Sequence, residues 1–167
     1  MATWQFDTVL IPRKRVVELF LIIPETVSNE EYLANRWWLS ENSTSESLIR
    51  LDSFLPRRPS WDNGIVAWGD EDGNRVDLVL SQGIIEEVYV RFDVKDLGGS
   101  FLPRVVDLAK SMDLIFLGLE SRRLIEPNRP DLIYEIRGSR AFKFVEDPIR
   151  FFRGLKGARP RGRFNRS

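Results

Sequence analysis

The chain has no histidine and no cysteine, and only two methionines, in 167 residues. Histidine is the one side chain whose ordinary pKa lies near neutrality, and the most frequent general acid or base. Cysteine is the strongest side-chain nucleophile and the soft metal ligand. Their joint absence excludes Ser-His-Asp and Cys-His catalysis, Cys/His zinc sites, disulfides and thiol redox chemistry. Long apolar runs are missing as well. The longest, Leu19 to Ile23, is far short of the ~20 residues that span a bilayer. The start, Met1 to Asp7, lacks the basic and apolar segments of a signal peptide. The expectation is a soluble, cytoplasmic protein with no membrane partner and no cofactor.

What is present is aromatic and charged: five Trp, eleven Phe, and 25 basic residues against 25 acidic ones. The zero net charge hides an asymmetry. Five basic residues and no acidic ones lie from Lys156 onward, which leaves 20 basic against 25 acidic, about −5, on residues 1–155. Residues 1–155 are expected to form one α+β domain, followed by a basic, flexible tail over 156–167. Nothing resembling a linker divides the body.

Alternation over 3–11 predicts a strand ended by Pro12, whereas Arg13 to Ile23 fits either helix or strand. Ser28-Asn29-Glu30-Glu31 has the form of a capping box and predicts a short helix to about Arg36. Ser43 to Glu46 repeats the signal for a helix that Pro56 stops, with a loop at Arg57 to Ser60. A three-strand antiparallel meander occupies 64–95. Asp72-Gly73 is the first turn, its glycine free to take positive φ, and Gln82-Gly83 the second. In the third strand Val88, Val90, Phe92 and Val94 share one face, and Glu87, Tyr89, Arg91 and Asp93 the other. Ser100 opens an amphipathic helix to Met112, and an apolar strand follows within 113–119. The span 85–119 therefore reads as a strand-helix-strand crossover. Pro127 and Pro130 bracket a loop, Asp131 to Arg137 is helical, and Asp147-Pro148 starts a last helix to about Leu155.

Several clusters have the residue types of a site. Asp70-Glu71-Asp72 sits in a hairpin that superficially suggests a calcium loop. With Gly73 in the sixth place, Trp68 and Val79 occupy the first and twelfth ligand positions, so a solvated turn is favoured. Asp77, Glu87 and Asp93 form a carboxylate cluster on the polar sheet face, where acid–base chemistry is conceivable but an ordinary charged surface is favoured. Gly98-Gly99-Ser100, between a strand and a helix, offers backbone N–H groups to an anion, though helix capping explains it adequately. Trp37-Trp38 and Trp61 lie near a polar stretch. A core role is favoured, with at least one of Trp37 and Trp38 expected to be partly exposed.

The sequence alone names no function. The leading reading is a non-enzymatic protein-binding module, such as an immunity-type inhibitor or adaptor, contacting its partner through Trp37, Trp38, Trp61 and Asp70, Glu71, Asp72. Alternatives are a carboxylate- or metal-dependent enzyme, and a weak nucleic-acid binder acting through the tail arginines.

Overall fold

The computed structural model describes residues 3–38, 51–53, 55–60 and 62–157, with 153–157 as helix backbone. Its architecture is α+β, as the sequence predicts. The strands are β1 (Gln5–Pro12), β2 (Arg57–Arg58), β3 (Ile65–Gly69), β4 (Arg75–Ser81), β5 (Ile84–Asp93), β6 (Leu114–Gly118) and β7 (Leu124–Ile125). The helices are α1 (Arg13–Phe20), α2 (Asn29–Ala34), α3 (Phe101–Ser111), α4 (Arg129–Gly138), α5 (Arg140–Glu146) and α6 (Pro148–Gly157). The strands form one sheet in the order β2-β3-β4-β5-β1-β6-β7, antiparallel at every ladder.

The first strand organises the rest. Since β1 pairs antiparallel with both β5 and β6, those two strands run parallel to each other with β1 between them. The 85–119 crossover is thus a split βαβ unit. Cross-strand partners place Phe6, Thr8 and Leu10 on one face with Phe92, Val90 and Val88. Here α3 packs: the Phe92 ring lies 5.4 Å from Phe101 and 6.2 Å from Phe116. Thr8, fully buried, donates its hydroxyl to the Val90 carbonyl at 3.1 Å, so it adds no unsatisfied group to this layer. On the other face, Val9, Ile11, Ile115 and Leu117 are buried, while β4 and β5 contribute charged residues.

Local chemistry explains most boundaries. The capping box at Ser28 forms in both directions, Glu31 N–H to Ser28 Oγ and Ser28 N–H to the Glu31 carboxylate. Asp147 accepts from Arg150 N–H at 2.9 Å and starts α6, which runs to Gly157. The ambiguous segment after Pro12 is helical as far as Phe20. Its first residue, Arg13, is fixed by Asp113 and by a two-pronged contact with Glu126.

Other expectations are corrected. Arg57 and Arg58 form a short edge strand rather than a loop, because they pair with Trp68 and Ala67. Pro130 lies inside the first turn of α4, where its missing N–H costs nothing, and Asn128 supplies the cap. Ser100 is already helical in φ and ψ and makes no side-chain cap bond. The positive φ of the first hairpin falls on Gly69, at 93°, and not on Gly73. The Gln82-Gly83 turn has positive φ at both residues, 52° and 81°, as a two-residue hairpin turn requires. The helix expected from Ser43 lies largely outside the described residues.

Candidate functional site

The acidic hairpin is built from underneath. Gly69 turns the chain out of β3, and the Asp70 N–H closes the loop on the Asn74 carbonyl at 3.0 Å. Two residues at the start of the chain then brace it. Trp4 donates its indole N–H to the Asp72 carbonyl at 3.0 Å, and the Gln5 amide donates to the Glu71 carbonyl at 2.6 Å. With these carbonyls tied inward, the side chains of Asp70, Glu71 and Asp72 face solvent. Asp70 is paired with Arg58 at 2.7 Å, an edge-strand contact that fixes its direction.

The same end of the sheet gathers further groups. Asn74 accepts the Asp93 N–H and donates to the Asp96 carboxylate at 3.1 Å. Asp93 caps the 3-10 turn Val94–Asp96 by accepting Lys95 N–H. Lys95 Nζ sits 3.9 Å from the centre of the half-buried Trp4 ring, a cation–π contact. The result is an acidic, pre-shaped surface around one tryptophan: Asp70, Glu71, Asp72 and Asp96 outside, Trp4 and Lys95 between. Family models, curated proteins and solved structures give no match to this chain.

The remaining predicted residues fall elsewhere. Trp37 and Trp38 are both buried, at 3% and 2% exposure, which corrects the expectation that one protrudes. Trp38 donates to the Leu10 carbonyl, and Trp37, stacked on Tyr32, donates to the Tyr32 carbonyl. Each indole N–H is thus satisfied inside the core, the role favoured for these rings. Trp61 lies outside the described residues.

Asp77, Glu87 and Asp93 share the polar face but do not converge. Glu87 and Asp93 stand six positions apart on one strand, roughly 20 Å at the extended rise. Each carboxylate has its own partner: Asp77 accepts two bonds from Arg75, and Glu87 accepts the phenols of Tyr32 and Tyr89. Arg75 and Arg91 lie directly opposite each other, and their like charges are offset by Asp77 and Asp7. The four side chains line a depression of about 270 Å³ with Tyr89 and Leu119. Its charges cancel. Among the described residues, no three acidic groups lie close enough to hold a metal ion.

The Gly98-Gly99-Ser100 loop faces an acid of its own. A Cβ on Gly99 would stand 2.7 Å from both carboxylate oxygens of Asp96. A bound anion would meet that negative charge, and a 3.2 Å bond from Gly99 N–H to the Asp96 carbonyl already occupies one donor. The loop packs the acidic end and is unsuited to anions.

Trp4 and Gln5 are the residues that sequence reasoning missed. Their period-2 alternation places them on a strand, but the hairpin they brace is 66 to 68 residues away.

Proposed function

We propose that the protein is a non-enzymatic protein-binding module that recognises a basic surface on its partner through the hairpin end of the sheet. The observation that carries the reading is the bracing of the hairpin by Trp4 and Gln5. A loop held in one shape loses little conformational freedom on binding, so less of its contact energy is spent on ordering. Three carboxylates at its tip would speed encounter with a positively charged partner and make the rate depend on salt. Trp4 supplies the aromatic contact in place of the buried Trp37 and Trp38. An immunity-type inhibitor covering a basic active site is one form of this activity. The carboxylate-enzyme alternative draws no support from the spread and pairing of Asp77, Glu87 and Asp93.

Affinity capture from a native lysate, run with the wild-type chain and with an Asp70→Asn/Glu71→Gln/Asp72→Asn variant, tests the reading. The wild type should retain a discrete basic protein whose cross-links map to 69–74, and the variant should retain at least tenfold less at low salt. Equal capture by both proteins would remove the hairpin from the interface.

A further inference from the structure

The charged part of the sheet sets two arginines side by side. Arg75 of β4 and Arg91 of β5 are direct cross-strand partners, so their Cβ atoms stand about 5 Å apart. Like charges in that position are destabilising. Neither cation is freely solvated, with side chains 11% and 24% exposed. Each is held by one carboxylate, and only through Nε. Arg75 Nε donates to both oxygens of Asp77, at 2.8 and 2.9 Å, and Arg91 Nε donates to Asp7 at 2.9 Å. The Nη1 and Nη2 groups of both arginines make no hydrogen bond among the described residues. Arg13 differs, since it gives both of its Nη groups to Glu126. Nor are these Nη groups sealed in. Among the described residues, Arg122 Nη1 is the one buried side-chain nitrogen without an acceptor, and both Arg75 and Arg91 line the depression on this face.

We infer that this depression binds a small phosphomonoester, its phosphate held between the Nη groups of Arg75 and Arg91. The carboxylates engage Nε and orient each guanidinium, which leaves the planar Nη edge that fits an oxyanion. Asp77 and Asp7 cancel the net charge of the pair, so the attraction rests on these short-range donors. A carboxylate has two oxygens, enough for one guanidinium fork, whereas the three terminal oxygens of a phosphomonoester serve two. The walls favour an organic body on that phosphate. Ile65, Val79 and Leu119 line the same space, and Tyr89, whose hydroxyl is given to Glu87, offers its ring. The volume of about 270 Å³ equals that of roughly nine waters, which limits the ligand to a small molecule. None of Trp4, Gln5 and Asp70 to Asp72 takes part, so the site is independent of the hairpin reading.

The test is a nuclear magnetic resonance titration of the full chain with phenyl phosphate, inorganic phosphate and benzoate, at an ionic strength held constant with sodium chloride. The Nε–H signals of Arg75 and Arg91 report on the site directly. Phenyl phosphate should shift both and saturate by about 20 mM. It should bind about tenfold tighter than inorganic phosphate, because its ring covers the apolar walls. Against benzoate, which fills one fork only, the margin should exceed roughly tenfold. Arg75→Lys and Arg91→Lys each keep a cation for Asp77 or Asp7, so the fold should stand, which the urea midpoint checks. Each should weaken phenyl phosphate at least about tenfold, because an ammonium cannot replace the fork. Both variants should keep capture through the hairpin, so the two readings fail separately. Unmoved Nε–H signals in the wild type overturn the inference whether or not a variant folds. So does binding of benzoate or inorganic phosphate as tight as that of phenyl phosphate, or undiminished binding by both lysine variants.

Discussion

Glu87 is the acceptor for two phenols, and this places two tyrosines in an environment that resists ionisation. Burial pushes the Tyr89 hydroxyl up to about 12, and its bond to Glu87 and the nearby negative charge act in the same direction. Burial and the Glu87 bond raise Tyr32 further. A folded-state pKa above the unfolded value means that the neutral phenols stabilise the fold fully below about pH 10 and progressively less above it. The urea midpoint should therefore fall between pH 10 and 12, and fall less steeply in Tyr89→Phe. Phenolate absorbance should show Tyr89 titrating earlier in Glu87→Gln but not at its free value, since burial, the largest cause, remains. An unchanged Tyr89 titration in that variant would show that Glu87 has no hold on it. No sequence pattern paired Tyr32 with Glu87, because 55 residues separate them and only the packing of α2 over β5 brings them together.

At the scale of elements, period and capping were the legible signals. The buried face of β5, the capping box of α2 and the helical spacing of α3 each follow from neighbours within a few residues, and all three form. Turn geometry was less legible, because Asp72-Gly73 is a hairpin pair in composition while the loop closes one step earlier. Gly69 has the positive φ, and a Cβ there would lie 2.1 Å from the Asn74 carbonyl oxygen that the Asp70 N–H uses. Gly69→Ala should therefore cost about 3 kcal/mol or more, as strain and backbone clash combine. Gly83, also at positive φ, has open space around its Cβ position. Its alanine variant should cost only about 1 kcal/mol, the left-handed penalty alone. Equal losses in urea unfolding would mean that the crowding at Gly69 relaxes. Gly69→Ala should also weaken capture by the hairpin, since the loop it shapes presents Asp70 to Asp72.

At the scale of the molecule, one core and one appendage can be told apart among the described residues. The buried cluster runs from Phe6 to Ala141 and includes both faces of the sheet. The pairing of β1 between β5 and β6 was hidden from the sequence, since a strand's partners depend on contacts some 80 to 110 residues away. The proposed binding surface was half legible for the same reason: its acidic tip is a contiguous string, whereas the struts beneath it, Trp4 and Gln5, lie 66 to 68 residues away in the sequence. The appendage is α6. None of its described side chains is fully buried, and Phe151 and Phe152 meet the body at Phe144, itself only partly buried. Stopping the chain after Asp147 should keep a single cooperative urea transition within about 2 kcal/mol of the intact protein, since among the described residues one partly buried aromatic cluster is lost and no core side chain. Amide exchange in the intact protein should agree, with α6 protected far less than β1, β5 and β6. The shortened chain also sheds seven positive charges and none of the acidic ones. It should keep the partner proposed for the hairpin. A collapse of the transition on truncation would instead make α6 part of the fold.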